Sequence, residues 1–549
     1  MKRRDFIRTI GAATAASPLV FNGLGMRAFG QNAWAKAVGS APNDNILVLI
    51  QLHGGNDGLN TFVPIPSYGT YASLRPGLTI PESGSRRYID LDTTLPSADQ
   101  SGLHPDMGPI KAMYDDGLVS VVRGVGYENT NGSHFRSRDI WFMGGDYDEY
   151  KNSGWMGRYL DHVYPNYPDD YPTPAMPDPL GLEINIKVSL GYYRAQGIPT
   201  AIATPDPGNF NSIISGLGGP VPDHIPADHY GLELQHIIDL YANANDYAAQ
   251  LETRYDAGSN NVTYPGPGHL EYPGTAPSRF TENPLGPQLE TIARLIHGGS
   301  KTKIYLVRLE GFDTHDSQVP DGSSPTEGIH GALLYHLSNA VKAFFDDLAA
   351  SGMDEKVLAM TFTDFGRRPF ANGSLGTDHG SSSPTMLFGP AVNAGVIGTN
   401  PSLTDLDSTG NLLVQHDYRQ VLTGVLCDWL GADLATLEAV EFDMFADSKL
   451  DVVDISTVGI ERVAAGLDLQ VSPNPVRGDA RLTVRAEHAT PVAWQIIDPQ
   501  GRVLFDGRRS LLAGRNDWSL PTADLPAGTY HVRVVVGDRA ARTTGLVKQ

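Results

Sequence analysis

Continuous apolar, β-branched runs alternating with helix-spaced segments constrain this 549-residue chain more than any other feature. Residues 45–52 (NILVLIQL), 118–126 (LVSVVRGVG), 303–311 (KIYLVRLEG) and 356–364 (KVLAMTFTD) have the apolar continuity of strands buried on both faces. A short helix containing Ile110, Met113 and Tyr114 precedes the second run. Amphipathic helices are predicted over 230–255, 284–299, 328–352 and 417–431, and another buried strand over 384–392. Alternation of this kind predicts an α/β class with a parallel-rich sheet covered on both faces.

Each strand-like run empties into acids and imidazoles. The first ends in HGGNDGLN, with Asn56 and Asp57; the second leads to Ser133, His134, Arg136, Arg138 and Asp139. The third is followed by Asp313, His315 and Asp316, and the fourth by Asp364, Arg367, Arg368, Asp378 and His379. Open α/β sheets bind ligands outside the carboxyl ends of their strands, so four such ends converging argue for one site. Any one of them alone is equally a turn that satisfies backbone groups. Ser133 is both a preferred helix N-cap and a candidate nucleophile, and the two roles can coexist. His330 and His336, on the helix of 328–352, read as solvated or capping rather than as ligands. The lone Cys427 excludes a disulfide framework or a Cys-based metal centre and reads as core.

Charge divides the chain. From Gly466 onward there are 11 Lys+Arg against 8 Asp+Glu, so that part carries +3 and residues 1–465 carry −24 of the total of −21. An acidic body of this kind excludes nucleic acid as a partner, because phosphate contacts need a basic face. Residues 1–35 open with Arg3-Arg4-Asp5-Phe6-Ile7 and a mild small-residue apolar stretch, which resembles a twin-arginine export signal. The stretch is too short and weak for a stable transmembrane anchor. Export to the cell surface or medium through the periplasm is the expectation. Residues 45–450 then form the main domain, with a Pro-, Gly- and Tyr-rich insertion over 145–230 draped on the sheet's carboxyl edge. A linker over 451–466 leads to 467–549, where period-two runs between Pro- and Gly-containing turns predict a small immunoglobulin-like β-sandwich.

HGGNDGLN, SHFRSRDIW, GWMGRYLD, GFDTHDSQ, TDFGRR and GTDHG, in that order, resemble the family known as domain of unknown function 1501, placed in the alkaline phosphatase and sulfatase superfamily. The resemblance spans roughly residues 45–435 and implies a three-layer α/β/α sandwich around one or two metal ions. It implies Asp57, Asp313, His315, Asp364 and His379 as metal ligands, Ser133 as nucleophile, and His134, Arg136 and Arg367 in catalysis, with Asn56, Asp378 and Arg368 nearby. The superfamily usually carries Asp-His where this chain has Asp364-Phe365, and its Asp-x-x-x-His is shortened to Asp313-x-His315. One imidazole fewer makes a single Ca²⁺ or Mg²⁺ easier to build than two Zn²⁺. The implied activity is metal-assisted hydrolysis of an anionic phosphate or sulfate ester, with Arg side chains steadying the charge. The alternative is a catalytically degenerate surface or secreted protein that binds a glycan or protein partner on the same fold. Residues 467–549 resemble the type A sorting domain of type IX secretion in Bacteroidota, which implies both export machineries as partners.

Overall fold

In the strand Ile46–His53 (β1), alternate residues feed two different cores, and the layering follows from that. Ile46, Val48, Ile50 and Leu52 pack into one hydrophobic cluster, Leu47 and Leu49 into the other. Successive strand residues point to opposite faces, so a strand apolar at every position must be covered twice. The computed structural model describes residues 43–212, 247–454 and, with short gaps, 468–549, together with two three-residue strands at Leu19–Phe21 and Leu24–Met26. Most of the segment read as an export signal, residues 230–246 of the helix expected over 230–255 and most of the linker lie outside the described residues; residues 247–257 are helical. Among the described residues no helix is long and apolar enough to cross a membrane.

In chain order the large sheet and the helices that cover it continue with α1 (Gly108–Asp115), β2 (Val119–Gly126), α2 (His134–Met143), α3 (Trp155–Val163), β3 (Gly181–Glu183), β4 (Ile202–Ala203) and α4 (Gly286–His297). After them come β5 (Ile304–Glu310), α5 (Ile329–Ala350), β6 (Val357–Thr363), β7 (Ser383–Phe388), β8 (Gly395–Ile397), β9 (His416–Asp417) and α6 (Tyr418–Gly424). The sheet runs β8-β2-β7-β6-β1-β5-β3-β4, with β9 paired to β2. Buried residues of α1, α4 and α5 belong to the cluster on one face, those of α2, α3 and α6 to the cluster on the other. Three α/β/α layers result.

The register of β1 is parallel to β5 on one side (Ile50↔Val307) and to β6 on the other (Ile50↔Thr361). β7 is antiparallel to both β6 and β2, so the sheet is mixed. A hairpin of Arg367–Ala371 and Thr377–His379, rather than a crossover helix, joins β6 to β7, and a short return of that kind reverses direction. The expected insertion also behaves differently. Its strands β3 and β4 do not drape over the carboxyl edge but extend the sheet, through the parallel pairs Ile304↔Gly181 and Leu182↔Ile202.

His330 and His336 are buried rather than solvated: α5 is covered on the side that carries them. His336 Nε2 is 2.8 Å from the Phe280 carbonyl and His330 Nε2 is 3.1 Å from Asn56 Oδ1. Cys427 is half-buried against the second cluster, in keeping with a packing role. The C-terminal unit is all-β. Its described strands form two antiparallel sheets, one of Asp468–Ser472, Ala480–Ala486 and Gly514–Leu520, the other of Val503–Leu511, Thr490–Ile497, Gly528–Val536 and Ala540–Lys548. Leu482, Val484, Ile496, Val532 and Val534 lie in their shared core.

Candidate metal centre

Because β1, β2, β5 and β6 all run the same way, their carboxyl ends open on one edge of the sheet. Two glycines bring those ends together. At Gly54 (φ +119°) a Cβ would stand 2.3 Å from the Asp313 amide nitrogen, and at Gly55 (φ +88°) it would meet the Phe365 ring at 3.0 Å. Only a residue without a side chain lets the backbone turn there and approach that closely. The Gly54 N–H donates to Asp364 Oδ2 at 3.0 Å, which fixes the buried Asp364 at the end of β6.

Asp364 Oδ2 in turn lies 2.9 Å from His134 Nδ1, on the first turn of α2. A carboxylate acceptor places the proton on Nδ1, and the lone pair is left on Nε2. His379 repeats the pattern with Nδ1 at 2.7 Å from the Gly132 carbonyl, and His315 with Nδ1 at 3.3 Å from Asp378 Oδ1. The Nε2 atoms of His134, His379 and His315 then all stand 3.3 Å from one atom, Asp313 Oδ1. His134 Nε2 is buried and makes no hydrogen bond among the described residues. Burial, followed by the charge of Arg367, holds the His379 imidazole below its ordinary pKa, which favours the neutral ligand form. Burial pushes the Asp313 carboxyl up, but the hydrogen bond and charge of Arg367, with His379 and His134, hold it far below the usual carboxylate range. With the protons on Nδ1, the Nε2 lone pairs face the Asp313 carboxylate, an arrangement that offers ligand atoms to a cation. One ligand atom each from His134, Asp313 and His379 lies within 4.8 Å of the others, a spacing that suits a single ion. Anchoring of each imidazole through its second nitrogen is the outer-shell arrangement that metal-binding histidines use.

Phe365, next to Asp364, is buried and its ring packs on His134 of α2 (4.7 Å between centroids) and on His379 (4.5 Å). Asp313 and His315, 49% and 42% exposed, leave the centre open to solvent on one side.

Other sequence-predicted residues offer no ligand atom to this convergence, although Arg367 touches it through Asp313. Asp57 is fully buried and its Oδ2 accepts from Arg75 Nη1 at 2.6 Å and from Gln318 Nε2 at 2.7 Å. Arg75 also donates to the carbonyls of Pro369 and Arg368, so Asp57 helps to tie the β1 turn to the hairpin. Asn56 is held by Thr363, Thr61 and His330. Arg136 donates to the carbonyls of Tyr147 and Glu149 and lies 3.9 Å over the Tyr150 ring, and thereby holds the loop after α2. Arg367 is buried and donates to the carbonyls of Gly54, Gly55, Phe312 and Thr377, as well as to Asp313 Oδ1 at 2.8 Å. Arg368 is half-buried, and its charge acts on Asp378. Ser133 is exposed and caps α2, with its Oγ 3.5 Å from the Arg136 amide. Sequence reasoning did not single out Arg75, which no motif marks, or His53, whose ring centroid is 6.4 Å from that of His134.

Residues 291–428 match the family described as "Protein of unknown function (DUF1501)". The matched part carries Asp313, His315, Asp364 and His379, while His134 lies outside it. No curated protein matches the chain. One solved structure it resembles is that of Ps i-CgsB in complex with k-i-k-neocarrahexaose, at 11% identity, covering 84% of this chain and 85% of that one, with a TM-score of 0.28. Another comes from work on glycosaminoglycan metabolism in Bacteroides thetaiotaomicron, at 9% identity, covering 85% and 89%, with a TM-score of 0.30.

The Asp57–Arg75 pair predicts a stability effect. Burial raises the Asp57 pKa, but the charge of Arg75 and the hydrogen bonds from Arg75 and Gln318 bring the net value below 3.8. A carboxyl with a depressed folded pKa contributes stability above its unfolded value and loses it as pH falls through the folded value. Asp57→Asn is expected to cost about 3–5 kcal/mol at neutral pH, because it leaves the Arg75 charge buried and unpaired. The gap between the two proteins is expected to narrow below pH 3.8. Denaturant midpoints across pH measure this; a gap unchanged down to acid pH would count against the pair.

Proposed function

We propose that the centre binds one divalent metal ion through His134, His379 and Asp313, with His315 completing the set, and that the loaded protein hydrolyses phosphate or sulfate esters. The observation that supports this most is the convergence of three imidazole Nε2 atoms on Asp313 Oδ1, each imidazole anchored through Nδ1. A donor set of imidazoles and one carboxylate suits Zn²⁺ or a similar first-row ion. The hard-cation alternative needs oxygen ligands from Asp57 and Asp364, and those carboxylates are engaged by Arg75 and Gln318 and by Gly54 and His134. Such an ion, when bound, supplies Lewis-acid stabilisation of charge on an ester oxygen.

The chain's own residues do the rest. Asp364 and the Gly132 carbonyl orient two imidazoles, and Arg367 fixes the carboxylate. Ser133 sits between Gly132 and His134 in the chain, exposed and held only by a long capping contact, so its hydroxyl can turn toward a bound ester as the nucleophile. Metal analysis of the purified chain, with turnover of aryl phosphate and aryl sulfate, tests the reading. About one ion per chain is expected, with turnover falling by on the order of 100-fold or more in Ser133→Ala while metal content is unchanged. A chain that takes up no ion and turns over neither ester would overturn it.

A further inference from the structure

Thr314 stands between Asp313 and His315 in the chain, and Thr377 stands two residues before His379, so each ligand-bearing segment contains a threonine. Both threonines are buried, whereas Asp313 and His315 are half exposed. Their two hydroxyls donate to one atom, Gln318 Oε1, each at 2.9 Å. Gln318 is itself fully buried, and its Nε2 donates to Asp57 Oδ2 at 2.7 Å. The Asp57 carboxylate, paired with Arg75, can only accept, so it fixes which way the Gln318 amide faces: nitrogen toward Asp57, oxygen toward the threonines. The two backbones also meet, the Thr377 N–H donating to the Thr314 carbonyl at 3.1 Å. Asp378, between Thr377 and His379, anchors His315 across the same seam. On their buried side, one amide thus joins the segment that carries Asp313 and His315 to the segment that carries His379.

We infer that Gln318 is a positioning residue of the metal centre: with its amide oriented by Asp57, it holds Thr314 and Thr377 together and so sets the separation of Asp313 Oδ1 and His379 Nε2, 3.3 Å apart. This inference rests on the metal reading of the centre but not on ester hydrolysis. Arg367 links the same segments at other points, through the carbonyls of Phe312 and Thr377 and through Asp313 itself. A single link leaves two segments free to pivot about it, and a second fixes their angle. Ligand atoms must be held to within about 0.5 Å, which takes outer hydrogen bonds of this kind.

The test uses the full chain, with zinc affinity read by chelator competition and stability by denaturant midpoint. Gln318→Met keeps the length of the side chain and removes both of its hydrogen-bonding ends, and it is expected to weaken zinc binding on the order of 10-fold. Thr314→Val combined with Thr377→Val removes the two donors at nearly constant volume and is expected to do the same. Thr314→Ser combined with Thr377→Ser keeps the hydroxyls and is expected to retain the affinity of the unaltered chain. Asp57→Asn is the control for lost stability: its carbonyl can still accept from Gln318 Nε2, so zinc affinity is expected to hold while the midpoint falls. Unchanged zinc affinity in a folded Gln318→Met chain, or in the folded valine pair, would overturn the inference. An equal loss of affinity in Asp57→Asn would overturn it too, since the effect would then follow stability alone. An unaltered chain that binds no zinc would overturn the metal reading and the inference with it. Zinc binding that depends on Gln318 in a chain without ester turnover would support the inference and overturn the hydrolase reading.

Discussion

His134→Ala is expected to abolish retention of a metal ion by the full-length chain, and Asp364→Asn to weaken it about 10–100-fold. His134 brings the buried Nε2 of the set, and without it His379, Asp313 and the more exposed His315 remain. Asp364 does not face the ion. Its effect comes through the proton on His134 Nδ1, since an acceptor at 2.9 Å keeps that proton away from Nε2. Gly54 and His134 share one oxygen, Oδ2, so an asparagine either keeps its carbonyl there and loses the charge that favours a proton on Nδ1, or turns its amide nitrogen there, gives up the Gly54 bond and draws the imidazole into the tautomer whose Nε2 is protonated. The fold is therefore expected to survive in both variants while affinity falls by different amounts. Metal content after dialysis against graded chelator measures both. Retention of a full equivalent of zinc by His134→Ala, at the affinity of the unaltered chain, would remove His134 from the ligand set.

The same residue shows where the sequence was legible and where it was not. NILVLIQL announces a doubly buried strand because every position is apolar, and such runs gave β1, β2, β5 and β6 within about a residue. β3 and β4, of three and two residues, are too short to carry a period and take their strand character from pairing at the edge beside β5. The acids and imidazoles at the strand ends were visible, but their assignment depends on partners far away in sequence. Nothing in HGGNDGLN says that Asp57 will meet Arg75, because a buried ion pair leaves no periodic trace. That an imidazole of α2 would pack on Phe365 was not legible either, because His134 lies 231 residues earlier in the chain (365 − 134).

Arg367→Ala is expected to destabilise the main unit by at least about 3 kcal/mol, and Arg367→Lys to recover little of that loss. Arg367 has a fully buried side chain and joins three strand ends: Gly54 and Gly55 after β1, Phe312 after β5, and Thr377 in the hairpin that leads to β7. Truncation leaves those carbonyl oxygens without the donor that replaced water, and each buried acceptor so abandoned costs roughly 1–3 kcal/mol. A lysine keeps the charge but has one nitrogen, which cannot reach carbonyls spread around a planar fork. The Asp313 contact adds little to this cost, because Asp313 is 49% exposed and solvent screens that pair. Its consequence falls on the metal centre. Without Arg367 the carboxylate is free to swing from the three imidazoles, so zinc affinity should fall together with stability in Arg367→Ala, whereas Asp57→Asn should lose stability with its zinc ligands in place. Denaturant midpoints and chelator competition on the two variants separate these effects; full zinc affinity in a folded Arg367→Ala chain would show that Asp313 is positioned without Arg367.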